Sequence, residues 1–187
     1  LYLEIIFMDR ILENLYLKTY PILVFAFLIF FVCIAYIPST SSNVSIGKFS
    51  SLPIPRFISL KTEPVYMRRG PGIRYPILWV YQKKSLPLEI IEEFNTWRKV
   101  IDPDGAEGWI HQSMLTGKRS GLVINDLAEL YKGSNSRSEI MAKIERSVVL
   151  TIVSCPQKVD FCNVRYNDLK GWIKKNNLWG IYPDEII

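Results

Sequence analysis

The sequence predicts an all-β protein in which one small unit is built twice. Three observations lead there. Residues Val65 to Gly117 can be laid on Leu130 to Gly180, with Gly108-Trp109-Ile110 recurring as Gly171-Trp172-Ile173, and Leu115 and Gly117 recurring as Leu178 and Gly180. A repeat of this kind marks two copies of one structural unit. Short apolar runs alternate with Gly, Pro, Asn and Asp turn signals about every ten residues, the signature of small sheet-built domains. No long amphipathic helical pattern follows the N-terminal region.

That region is different in kind. Residues 1–21 form a flank, and Ile22 to Ile37 is uncharged and nearly all apolar, with no charged residue between Lys18 and Lys48. As a helix the run would span roughly 24 Å at about 1.5 Å per residue. It is apolar on every face, which argues against a core helix that buries one stripe. We read residues 22–37 as a hydrophobic helix serving as signal peptide or transmembrane anchor, with the remainder outside the cytoplasm. From Lys48 onward 21 Lys/Arg stand against 15 Asp/Glu. The mildly basic balance, with both signs mixed, fits a solvated surface or an anionic partner.

The elements follow in order. Residues 38–56 are rich in Ser, Pro and Gly and read as a linker. Residues 57–117 form the first unit. Phe57 to Thr62 alternates as a strand, Gly70-Pro71-Gly72 breaks the chain, and Ile77 to Tyr81 is apolar and aromatic. Leu86 to Ile91 reads as a strand whose Pro87 suggests an exposed edge or a bulge. Glu92 and Glu93 read as a solvated strand end. Trp97 to Ile101 ends at Asp102-Pro103-Asp104-Gly105, a strong turn because Pro fixes φ and Gly accepts positive φ. Residues 121–183 form the second unit. Lys132 to Asn135 replaces the Pro-Gly turn, and a loop and strand are expected over Ser138 to Ile144. Val148 to Ser154 pairs with Phe161 to Tyr166, and Asn167-Asp168 turns the chain into Gly171. Trp97 and Trp109 are expected as core anchors, with Phe161 and Trp172 in the same places in the second unit; a half-exposed groove wall is the alternative for Trp97.

Cys155 and Cys162 bracket a short polar stretch between two strand-like runs. A hairpin would bring them face to face, and an oxidising compartment would let them bond. The alternative is two buried thiols acting as small hydrophobes.

Val65-Tyr66-Met67-Arg68-Arg69-Gly70-Pro71-Gly72, then Trp97-Arg98-Lys99-Val100, then Asp104-Gly105 and Gly108 to Leu115 closely resemble the bacterial SH3-like (SH3b) domain. The second unit resembles a degenerate copy, its opening reduced to Leu130-Tyr131-Lys132-Gly133 and its closing Gly171-Trp172-Ile173 retained. Leu178 to Pro183 fits tandem exported SH3 proteins of Gram-negative bacteria. The resemblance implies two five-stranded, partly open barrels, a periplasmic address, and binding rather than chemistry. It places Trp97 at the aromatic wall of a groove, with Tyr66, Tyr75 and Tyr81 as neighbours and His111 and Met114 where eukaryotic SH3 domains carry a Pro and a Tyr. Proline-rich ligands, which need stacked aromatic ridges, are therefore not expected.

The residues themselves exclude most chemistry. His111 is the only histidine. A Cys/His pair would require a reduced cysteine outside the cell, and no Cys/His spacing matches a zinc site. No cofactor is expected. The candidate ligand-binding residues are Tyr66, Arg68, Arg69, Tyr75, Trp97, His111 and Met114, with Gly70, Gly108 and Gly171 as structural glycines. Basic and aromatic residues together grip anionic or polar polymers, so peptidoglycan or a periplasmic protein is the expected partner. Nucleic acid is not, given the address. A structural adaptor held at the membrane and an accessory to a wall hydrolase are the alternatives.

Overall fold

The computed structural model describes residues 44–187. The expected hydrophobic helix at 22–37 lies outside these residues. Among the described residues no helix is long and apolar enough to cross a membrane.

The strands are β1 (Ser45–Ile46), β2 (Pro53–Ile54), β3 (Arg56–Leu60), β4 (Val65–Arg68), β5 (Ile77–Tyr81), β6 (Pro87–Phe94), β7 (Trp97–Ile101), β8 (Glu107–His111) and β9 (Leu115–Thr116). They continue with β10 (Ser120–Val123), β11 (Leu127–Tyr131), β12 (Ile140–Glu145), β13 (Val149–Ser154), β14 (Phe161–Tyr166), β15 (Leu169–Lys174) and β16 (Leu178–Trp179). A 3-10 turn precedes the last strand of each unit, at Gln112–Met114 and Lys175–Asn177. β1 and β2 form a separate hairpin inside the segment read as a linker.

The two units have the same topology. The first sheet runs β5-β4-β8-β7-β6-β3-β9 and the second β12-β11-β15-β14-β13-β10-β16. Each therefore has seven strands where five were expected, and neither sheet closes on itself. The short strands β9 and β16, which return after the 3-10 turn to pair with β3 and β10, add to the expected count. The expected strand after Ser138 is present as β12.

Alternation along the strands sets the core. Val65 and Met67 of β4, Leu88 and Ile90 of β6, Val100 of β7 and Ile110 of β8 point inward and pack with Leu60 and Leu115. Their counterparts Ala128, Leu130, Leu150, Ile152, Val164 and Ile173 form the second core with Leu178 and Ile181. Gly108 and Gly171 explain the repeated Gly-Trp-Ile. A Cβ on Gly108 would lie 2.8 Å from the carbonyl oxygen of Arg68, and one on Gly171 would lie 2.8 Å from that of Tyr131. The neighbouring backbone leaves no room for a side chain. The tryptophans that follow belong to the opposite face of the sheet. Trp109 is buried, as a core anchor would be, whereas Trp172 is only half-buried and lies outside the second core cluster. Pro87 is also corrected. It is buried and opens β6 between β3 and β7, where the first residue of a strand tolerates the missing N–H.

The barrels are packed together. Leu122 and Val149 of the second unit join the first core. Phe57 lies between Trp179 and Tyr182, with ring centroids 4.9 and 4.6 Å away. Ser59 donates to Ser120 Oγ at 2.6 Å, and Ser120 donates to the Ser85 carbonyl at 2.6 Å. Tyr182 donates to Glu89 at 2.6 Å; burial and this bond push its phenol up. Gly180 sits at φ 118°, and a Cβ there would meet the Ser120 carbonyl at 2.5 Å and Pro87 at 3.0 Å. Its counterpart Gly117 faces open space, so this repeated glycine is needed only in the second copy.

Candidate functional site

In the first barrel the end of the central hairpin, Asn95 to Trp97, meets the 3-10 turn Gln112–Met114, where the Gln112 N–H donates to the Thr96 carbonyl at 2.8 Å; the loop 69–76 follows β4, which pairs with β8. Trp97 pairs with His111 across β7 and β8, and their rings meet edge to face at 5.3 Å. The Ser113 backbone N–H donates to His111 Nδ1 at 3.3 Å, and the Ser113 hydroxyl lies 2.7 Å from the same atom. An accepting Nδ1 leaves the proton of the neutral ring on Nε2. His111 thus caps the 3-10 turn. Met114 ends that turn, accepting from Lys61 N–H through its carbonyl at 2.8 Å and from the Thr62 hydroxyl through sulfur at 3.7 Å.

The other candidates belong to the first loop. Arg68 donates to the carbonyls of Ile73 at 3.0 Å and Tyr75 at 2.8 Å. The Arg69 N–H donates to the Pro76 carbonyl at 3.0 Å. Tyr75 lies over Gly70, where a Cβ would meet its ring at 2.5 Å. Tyr66, Tyr75 and the side chain of Arg69 are exposed. The structure therefore joins Trp97 to His111, and Arg68 to Tyr75 and Gly70. It gives Arg68 a loop-bracing role rather than a free guanidinium. Beyond Tyr66 runs the sheet edge β5, where Ile77, Leu78, Trp79 and Val80 are all exposed.

The cleft that sequence reasoning missed lies on the second barrel. It holds about 480 Å³ and is lined by Ser136, Asp160, Phe161, Lys174, Leu178, Ile181 and neighbours. Phe161 pairs with Lys174 as Trp97 pairs with His111, so the cleft occupies the equivalent place. Phe161 is held by an edge-to-face contact with Tyr131 at 5.6 Å, and Tyr131 donates to Glu129. Lys175 is committed elsewhere: its ammonium donates to the carbonyls of Pro183 at 3.1 Å and Glu185 at 3.0 Å. Lys174 lines this cleft and a second one of about 300 Å³ with Glu129, Tyr131 and Lys143. The sequence signal was the match of Phe161 to Trp97; the reduced opening motif at Leu130 to Gly133 drew weight away from it.

One carboxylate was misread. The Glu93 side chain is 1% exposed, not a solvated strand end. It accepts from Ser50 Oγ at 2.6 Å, Arg56 Nη2 at 2.8 Å, Ser50 N at 3.0 Å and Phe49 N at 3.1 Å, and pairs with Arg98 Nε at 3.3 Å. Burial by itself raises its carboxyl, but the bonds from Ser50, Arg56 and the backbone outweigh it and hold the group at about 2. In the second barrel Cys155 and Cys162 are joined by a disulfide. The hairpin reading of that pair stands and the free-thiol alternative does not. Among the described residues no group of three or more His, Cys, Asp or Glu is placed to hold a metal.

A family model described as "Bacterial SH3 domain" matches residues 61–117 and again residues 125–180. No curated protein matches the chain. Among solved structures, NlpC2 and NlpC1 from Trichomonas vaginalis each align at 15% identity and a TM-score of 0.31. The alignments cover 67% and 74% of this chain. The chain spans about half the length of each, 48% and 50%.

Proposed function

The chain belongs to the bacterial SH3 domain family, matched in two tandem copies, and from that premise we propose that it is an exported, non-catalytic binding protein of the cell envelope. SH3b domains are binding modules. The finer reading is that the tandem unit takes cell-wall peptide or glycan in the groove beside the 3-10 turn. The observation that carries it is the cleft around Lys174, at the place where the first barrel sets Trp97 against His111. Its floor of Phe161, Leu178 and Ile181 receives an apolar body, and Lys174 receives a carboxylate of the kind wall peptides bear. Two facts support binding without turnover. The only histidine is engaged in capping a turn, and Cys155 and Cys162 hold no thiol while bonded to each other.

The test is retention of the 44–187 fragment on purified peptidoglycan, compared with Lys174→Glu on the second barrel and with Trp97→Ala and Arg69→Ala on the first. Retention lost only with Lys174→Glu assigns the second groove. No retention of the intact fragment removes the wall reading. Release of muropeptides by the fragment would remove the non-catalytic one.

An adaptor role is favoured by a different observation. The equivalent sheet edges are unlike: β12 carries Lys143 and Glu145, the charges that normally blunt an edge, whereas β5 has four exposed apolar residues and no charge. An edge of that composition accepts an added strand from a protein partner. In-cell crosslinking from position 79, read by mass spectrometry, separates a protein partner from wall material.

A further inference from the structure

The hairpin of β1 and β2 is attached with its polarity reversed. What holds it to the barrel is polar: the Glu93 carboxylate takes the N–H groups of Phe49 and Ser50, the Ser50 hydroxyl, and the Arg56 guanidinium that also grips the Pro53 carbonyl at 3.0 Å. Gly47 is pressed against that carboxylate, where a Cβ would lie 2.6 Å from its oxygen. What faces away is apolar. Val44, Ile46, Phe49 and Leu52 are 46–67% exposed, and Phe94, at the end of β6, is exposed beside Phe49 with ring centroids 6.4 Å apart. Together these five side chains form one exposed apolar face on the hairpin side of the first barrel.

The neighbouring sequence bears on what these groups meet. Residues Pro38 to Asn43 are all that separates this hairpin from the uncharged run Ile22 to Ile37. Six residues reach at most roughly 22 Å when fully extended. The hairpin and its flanks carry the exposed Lys48 and Lys61, while Arg56 is taken by Glu93, and no acidic residue of the segment precedes Glu63. Lys48 stands 5.8 Å over the Phe49 ring, with a cation beside an apolar group as at a membrane interface. We propose that the β1–β2 hairpin, with Phe94, is a foot that seats the tandem barrels on the interfacial region of a lipid bilayer carrying anionic headgroups. The apolar side chains enter the headgroup and acyl boundary, and Lys48 stays among the phosphates. The Glu93 knot transmits that placement to the first barrel. This choice of occupant rests on reading residues 22–37 as a membrane segment.

The 44–187 fragment contains both cores and forms one compact unit, so it serves as the test protein. Its sedimentation with phosphatidylcholine vesicles is compared with sedimentation on vesicles that also contain phosphatidylglycerol. The foot predicts binding to the anionic vesicles, and a fall in partitioning of about tenfold or more in the triple variant Ile46→Ser/Phe49→Ser/Leu52→Ser. The substituted side chains are exposed, so urea unfolding of that variant should match the parent. A fragment that stays in the supernatant with both vesicles overturns the proposal. So does a triple variant that sediments like the parent, or a dimer in solution that the triple variant abolishes, which would assign the patch to a second copy. Carbonate extraction of the full chain from membranes tests residues 22–37 separately. Extraction together with vesicle binding by the fragment removes the anchor and leaves the foot.

Discussion

Replacing Glu93 by Gln should cost the first barrel about 3 kcal/mol at neutral pH, and the cost should vanish in acid. The carboxylate accepts four hydrogen bonds and pairs with Arg98, which is itself buried. Removing one partner of a buried ion pair costs roughly 3–5 kcal/mol because the other charge is left without compensation. The titration gives a second route to the magnitude. The carboxyl is held at about 2 in the fold against 4.5 ordinarily, which corresponds to roughly 3 kcal/mol by linkage. The sign follows from proton uptake. Between 4.5 and 2 the unfolded chain binds a proton at this site that the folded chain refuses. The stabilisation is therefore complete above 4.5 and is lost as pH falls through 2. Urea unfolding of the 44–187 fragment, followed by tryptophan fluorescence from pH 7 down to pH 2, measures it for both proteins. The expected result is a gap of about 3 kcal/mol at pH 7 that closes toward pH 2. Limited proteolysis at neutral pH should also cut Glu93→Gln first within residues 44–54. A gap below about 1 kcal/mol at pH 7, or one that does not change with pH, would refute the buried-knot account.

Other positions make separate predictions. Cys155→Ala/Cys162→Ala should lower the stability of the second barrel by about 2.5 kcal/mol, from the entropy of a loop this short, read as a shift in urea midpoint. It should also speed hydrogen exchange at Ile187, whose N–H bonds the Cys155 carbonyl. Gly108→Ala and Gly171→Ala should each cost about 1–3 kcal/mol by forcing a side chain against backbone, whereas Gly117→Ala, with nothing within 4 Å, should leave the melting temperature unchanged. Phe57→Ala removes the ring between Trp179 and Tyr182 and should cost about 3–5 kcal/mol. It should also split a single unfolding transition into two, detected by calorimetry.

The sequence displayed what is set by local rules and repetition. The doubled Gly-Trp-Ile was legible because a β-strand that approaches its neighbour this closely admits only glycine, and the requirement recurs at Gly108 and Gly171. The Asp102 turn was legible for a similar reason: Asp102 accepts the N–H groups of Asp104 and Ala106 at 3.0 and 2.8 Å, and Gly105 takes positive φ. The β1–β2 hairpin was not legible, because its bonds go to a carboxylate more than forty residues away and its Ser, Pro and Gly content is that of a linker. The cleft on the second barrel was hidden for a like reason. It depends on Asp160, Phe161 and Lys174 lining one space from different strands and turns, and the opening motif that advertises such a groove is worn away in that copy.

The misreading of Glu93 and the correct reading of Cys155 have one cause. Along β6 the inward residues are Leu88 and Ile90, so simple alternation would send Glu92 inward and Glu93 to solvent. The register shifts between Ile90 and Glu92, and one extra residue exchanges the two faces. Glu93 is turned inward to face Arg98. The second barrel shifts at the same rung, between Ile152 and Ser154, and turns Cys155 inward to face Cys162. The two copies therefore close the same point of the same hairpin by different chemistry, an ion pair in one and a disulfide in the other. Each closure also receives a chain segment. Glu93 takes the residues that enter the first barrel, and the Cys155 backbone exchanges hydrogen bonds with Ile187 at 2.7 and 3.1 Å. A bulge that selects which residue faces the end of the hairpin has been kept, while the bond it presents has diverged. In the first copy that bond answers to pH, and in the second to reduction.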